Sequence, residues 1–144
     1  VKLDVFALPN VDVVGIAENL PFRDGAFRTV LSGAVFEHVM APFLAIDQVH
    51  RVLDADGEVY IETAFLQPVH AFPNHYFNMT RQGLKRLCGS FAPLESGVQP
   101  HQYPSFTLRW ILETWADKLP LDARRDFLGA TVGEVIREYK ADVF

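Results

Sequence analysis

The 144-residue sequence has a single cysteine, Cys88, which excludes an intrachain disulfide and any multi-cysteine zinc site. No apolar run approaches the roughly 20 residues needed to cross a bilayer, so no membrane partner is expected. Positive charge is scarce. The formal net charge is −5, and no basic stripe is present to meet phosphates, so nucleic acid is not an expected partner. The opening residues lack a basic stretch followed by an apolar one, so no secretory leader is expected. With one cysteine, the expected setting is reduced and cytoplasmic. Glycine is present but never as Gly-x-Gly: the nine glycines are nowhere two apart. A glycine turn of the kind that cradles dinucleotide phosphates therefore cannot be written anywhere in these residues. Repeats and low-complexity segments are also absent. The first residue is Val1, not Met, which fits a chain cut from something longer or a GTG start translated literally.

What the chain does have is apolar content, 49% of residues, and a length that buries about 68–70% of the unfolded surface in one domain. "VKLDVF" reads as a short buried strand ending near Asp4, and "VDVVGI" as a second. The few residues between them are too few for an ordinary parallel crossover, which leaves a hairpin or strands at different depths. "AFRTVLSGA" is a third strand, opened by the turn "RDG". From Pro42, residues Phe43, Leu44, Ile46, Val49, Val52 and Leu53 recur at helical spacing. "DADG" is expected to stop this helix, with Gly57 in a left-handed turn. "EVYIETAF" is a strand, followed by an aromatic, His-rich loop over residues 65–77. Thr80 is a good N-cap for a helix over 81–88, and "FAPLESGV" is a candidate edge strand. From residue 105 the chain reads as helices: "FTLRWILETWADKL", "DARRDFLG" and "VGEVIREYKA". Leu108, Ile111, Leu112 and Trp115 share one face of the first of these. Trp110 and Trp115 are expected in a core or interface. The alternation is that of an α/β sheet, in which ligands bind beyond the carboxyl ends of the strands. Asp4, Glu18, Glu37, His38 and the 65–77 loop all fall at such ends.

The run "ENLPFRDGAFRTVLSGAVFEHV", a helix, then "RVLDADGEVYIETAF" resembles the central half of class I S-adenosylmethionine-dependent methyltransferases. "HYFNMTRQGLKRL" also looks like the segment after their fifth strand. The resemblance covers residues 1–91. It implies an α/β, truncated Rossmann-like methyltransferase sheet with a helical C-terminal tail: one domain over 1–144, with a partial core over 1–98 and the tail over 99–144. It implies S-adenosylmethionine as cofactor and a small-molecule methyl acceptor. Carried over position by position, Asp4 would hold the ribose hydroxyls, and Ala17 and Glu18 would lie beside the adenine. Gly33 and Ala34 would border the methionine part. Glu37 would line the rim, and His38 would face the methyl-transfer region as a base. On the substrate side the candidates are His70, His75 and Tyr76, with Phe65, Phe72 and Phe77 as further walls.

Three departures qualify what the resemblance implies. The family's glycine turn precedes the second strand, and here nothing precedes it. The acid that meets the adenine amino group falls at Ile16, which accepts no hydrogen bond. The acid common at the start of the fourth strand is Arg28. Binding of S-adenosylmethionine by these residues alone is therefore expected to be weak or absent. The plainer roles stay open: Asp4 as a strand end in solvent, Glu37 as a partner of backbone amides at a helix start. His70, His75 and His101, with Glu62, carry metal-ligand chemistry, but Pro73 interrupts their spacing and no metal site is expected. The unpaired strand edges left by a missing first strand predict a two-fold homodimer; direct pairing of "VKLDVF" with "RTVLSGA" would close the gap and still leave a bare face to cover. A non-catalytic remnant of the fold, acting through self-association or by binding a small molecule, is the alternative function.

Overall fold

The computed structural model describes residues 1–70 and 74–138, and side chains through residue 135. It divides into a unit Val1–Val98 and a unit Gln99–Phe144. The first is α/β. Strand β1 (Leu3–Asp4) pairs in parallel with β2 (Val13–Val14), Leu3 opposite Val13 and Asp4 opposite Val14. This corrects the choice between a hairpin and strands at different depths. Two-residue strands need little travel to come back in parallel, and the intervening segment makes its own turn through Val11 N–H to Leu8 O at 3.0 Å. Asp12 closes the unit by accepting from Lys2 N–H at 2.7 Å.

Strand β3 (Phe27–Gly33) pairs in parallel with β4 (Leu53–Glu62), joined by helix α1 (Pro42–Val52). This is a βαβ unit with the expected helix in the expected place. The two strand pairs do not hydrogen-bond to each other, so direct pairing of "VKLDVF" with "RTVLSGA" does not occur among the described residues. Helix α1 buries Ala45, Ile46, Val49 and Val52, at the three- and four-residue spacing that puts one face inward. Phe43 and Leu44, expected on that face, are instead more than half exposed, one residue either way off the stripe. Ile46 and Val49 pack with Phe36, Val39 and Leu87, and Val30, Val59 and Ile61 from the sheet close the core.

The "DADG" segment does not form a left-handed stop. Helix α1 passes directly into β4 at Leu53, and Gly57 lies within that strand at ordinary φ. Glycine is required there by contact. A Cβ on Gly57 would lie 2.8 Å from Leu53 Cγ and 3.0 Å from the Arg28 and Asp54 carbonyl oxygens. The register shifts at this point, Phe27 pairing with Leu53 and Thr29 with Glu58, as a bulge requires. The left-handed glycine is Gly25 (φ 59°), in the turn that opens β3.

Arg51, in the last turn of α1, ties that turn down. Its guanidinium donates to Phe22 O (2.7 Å), Leu20 O (2.8 Å), Gln48 Oε1 (2.9 Å) and Asp24 Oδ1 (2.8 Å). Its own carbonyl accepts from Gly25 N–H at 3.0 Å. The "LPF" and "RVL" segments, distant in sequence, are thus one hydrogen-bonded unit.

Helix α2 (Arg81–Leu87) begins as expected, with the Thr80 hydroxyl accepting from Gly83 N–H at 3.0 Å. Cys88 follows it, half-buried, and burial pushes its thiol pKa up. Residues 91–98 form no strand, correcting the edge-strand expectation; Pro93 and Gly97 suit an irregular segment.

The second unit holds α3 (Pro104–Ala116), α4 (Leu121–Gly129) and α5 (Val132–Glu138). Thr107, Ala116 and Phe127 are buried, and the Trp115 and Phe127 rings lie 5.0 Å apart. Thr107 takes the inward position assigned to Leu108, which is half exposed. Thr131 and Glu134 form a reciprocal cap at the start of α5. The expected continuation of this helix through 139–141 lies outside the described residues. No described helix is long and apolar enough to cross a membrane.

Candidate functional site

Strand β3 ends at Gly33, and the next residue, Ala34, is left-handed (φ 52°), uncommon for a residue with a Cβ. Ala34 N–H still donates to Glu62 O at 3.0 Å, so the sheet holds the turn in place. A Cβ at Gly33 would meet nothing within 4 Å, so there is open space at the strand end. One residue earlier, the buried Ser32 hydroxyl has no hydrogen-bond partner among the described residues. The chain then enters a 3-10 turn, Phe36–His38. Phe36 is 1% exposed and anchors this turn in the core; Glu37 and His38 ride on it.

Glu37 is also 1% exposed. Its carboxylate accepts from the Thr63 hydroxyl at 3.0 Å, just past the end of β4. Among the described residues it accepts from no backbone amide at the helix start, which corrects that reading of Glu37. The backbone carbonyl of Glu37 accepts from Tyr76 N–H (2.8 Å) and Phe77 N–H (3.2 Å). These two bonds fold the aromatic loop back onto the turn. The loop is closed at its base by Met79 N–H to Ala64 O (2.7 Å) and by paired bonds between Gln67 and Asn78.

Three histidines meet where the loop docks. Ring centroids of His38 and His70 are 5.2 Å apart, His38 and His75 5.6 Å, and His70 and His75 4.5 Å. His38 Nδ1 is 2.8 Å from Asn74 O. A carbonyl only accepts, so the proton is on Nδ1 and the Nε2 lone pair is the basic one. The Tyr76 hydroxyl accepts from Asn74 Nδ2 at 3.0 Å. Candidates from two sequence regions, Glu37–His38 and His70–His75–Tyr76, are therefore one cluster. Phe72, a further expected wall, lies outside the described residues, and Phe65 is 61% exposed. His101 and its 3-10 turn belong to the other unit.

The remaining candidates are placed separately. Asp4 ends β1, and one carboxylate oxygen accepts from Phe6 N–H at 3.1 Å, closing its own turn. Ala17 packs against the core. Glu18 accepts from Ala41 N–H at 3.3 Å, at the N-terminus of α1, where a carboxylate is favoured. Ile16 is about half exposed. Thr63 and Asn74 were missed from sequence. Thr63 carried a faint signal, a hydroxyl at the end of an apolar strand; Asn74 meets His38 through its backbone carbonyl, a contact that carried none.

Residues 5–61 match the family model for a methyltransferase domain. That stretch is 57 of the chain's 144 residues. The α/β unit with its parallel strand pairs is the Rossmann-like arrangement of such domains. No curated protein matches the chain. Among solved structures, the MccD protein is similar, with 18% identity and a TM-score of 0.48 over 81% of this chain and 55% of that one. The chain thus spans just over half of that protein's length.

Proposed function

We propose that the chain carries one side of the cofactor and acceptor site of an S-adenosylmethionine-dependent methyltransferase. The observation that carries this reading is the carboxyl end of β3 within the family-matched segment: open space at Gly33, the left-handed Ala34, and Glu37–His38 directly after. The residues fit part of the cofactor. The Asp4 carboxylate suits a ribose diol, and Gly33 and Ala34 leave room for the methionine part. Ile16 offers nothing to an adenine amino group, and Glu18 is engaged at the helix start. When bound, S-adenosylmethionine supplies an electrophilic sulfonium methyl group. On this reading His38 holds Nε2 toward the acceptor and takes its proton. The docked loop, through His70, His75 and Tyr76, forms the acceptor wall.

Because these residues form one side only, residues 1–144 alone should bind the cofactor with a Kd on the order of a millimolar, about −4 kcal/mol. Titration calorimetry checks this. Micromolar or tighter binding would overturn the view that contacts from outside this set are needed.

A second reading, association of two copies, is favoured by exposed apolar side chains on one face of the β3–β4 pair. Leu31 and Tyr60 lie opposite each other in register and are 75% and 44% exposed. Parallel strands are ordinarily covered on both faces. Light scattering at low micromolar concentration should give a dimer mass, reverting to monomer in Leu31→Glu. A monomer mass for the unmodified chain removes this reading.

A further inference from the structure

We infer that Glu37, His38 and His70 bind a divalent transition-metal ion of the zinc class. Each contributes one donor atom, and the three atoms lie within 4.8 Å of one another. Donors around a four-coordinate zinc with bonds of about 2.0–2.1 Å sit roughly 3.3 Å apart. The three atoms would draw together by at most about 1.5 Å to meet that geometry.

The outer partners point the same way. Histidines that hold a metal ordinarily donate their other ring N–H to a carbonyl or carboxylate, and ligating carboxylates are themselves hydrogen-bonded. His38 Nδ1 faces Asn74 O at 2.8 Å, and His70 Nδ1 faces Pro68 O at 2.9 Å. Both contacts put the proton on Nδ1 and the lone pair on Nε2. Glu37 is steadied by the Thr63 hydroxyl at 3.0 Å. Its carboxylate is buried yet pairs with no lysine or arginine among the described residues. Buried carboxylates are costly unless paired with a cation or a metal.

His75 is excluded as a ligand by the same reasoning. Its Nδ1 accepts from His70 N–H at 3.4 Å, and its Nε2 donates to Phe77 O at 3.0 Å. It is a wall against the other two rings. Two imidazoles and one carboxylate suit zinc and its first-row neighbours and are a poor set for calcium or magnesium, which favour all-oxygen shells. Three protein ligands leave a position open to water or to an oxygen of a bound molecule. In the metal-bound form His38 is a ligand and not a base. Metal binding does not depend on the methyltransferase reading and is measured without turnover.

The test uses the untagged full chain, stripped with chelator, and titrated with zinc chloride by calorimetry and with cobalt chloride by visible absorption. One ion per chain is expected, with a cobalt spectrum of low coordination number. His70→Asn and Glu37→Gln should each weaken zinc binding by more than about 100-fold, and Thr63→Val by about 10–100-fold. His101→Asn should leave it unchanged, and His75→Phe, which removes only a neighbour of the ligands, should cost far less than His70→Asn. Circular dichroism of each variant confirms the fold. No binding at millimolar zinc would overturn the inference. So would equal affinity in folded His70→Asn or Glu37→Gln, or a loss in His75→Phe as large as in His70→Asn.

Discussion

Replacing Arg51 with methionine is expected to lower the unfolding free energy by about 2–4 kcal/mol. Methionine keeps the aliphatic length and removes every donor. The ion pair with Asp24 contributes little of this, because Asp24 is 81% exposed and such pairs are worth at most about 1 kcal/mol. The larger share comes from the Leu20 and Phe22 carbonyls, which lose charged donors at 2.8 and 2.7 Å. Asp24→Ala should therefore cost under about 0.5 kcal/mol. Arg51→Lys should fall between, since an ammonium cannot span both carbonyls as the planar fork does. Urea unfolding monitored by circular dichroism orders the three variants. An Asp24→Ala loss equal to that of Arg51→Met would place the stabilisation in the surface pair.

Glu37→Gln is expected to act in the opposite direction, raising the stability of the metal-free protein by about 1–3 kcal/mol. The carboxylate is 1% exposed, and among the described residues the Thr63 hydroxyl is the side-chain donor that offsets its lost hydration. Glutamine accepts the same hydrogen bond from Thr63 without burying a charge. A helix-start role would give the reverse sign, with a loss of about 0.5–2 kcal/mol. Thermal melts in the presence of chelator decide it. A stabilised Glu37→Gln marks a residue whose carboxylate serves something other than the fold; a destabilised one returns Glu37 to a structural role.

The elements with local causes were legible in the sequence. Helix α1 follows from apolar spacing, and the start of α2 from Thr80. Strand β3 follows from a β-rich run after a glycine turn. What could not be read depended on non-local contacts. The parallel pairing of β1 with β2 rests on two residues in each strand, too few for any pattern. Gly57 looked like a turn because glycine after acids is a turn signal, yet its cause is a backbone approach from β3. The histidine cluster was the largest omission. His38 and His70 meet because two backbone N–H groups, from Tyr76 and Phe77, dock the loop on the Glu37 carbonyl. Main-chain bonds of that kind leave no trace in residue identity. The side-chain types were visible, and their convergence was not.

The proposed site at the carboxyl ends of the strands is tested most directly by amide chemical-shift mapping of residues 1–144 during titration with S-adenosylhomocysteine. The expected result is fast-exchange shifts, saturating on the order of a millimolar, concentrated at Asp4, Ala17, Gly33, Ala34 and Glu37. Shifts confined to the helical unit from residue 99 onward, or none at saturating ligand, would contradict it.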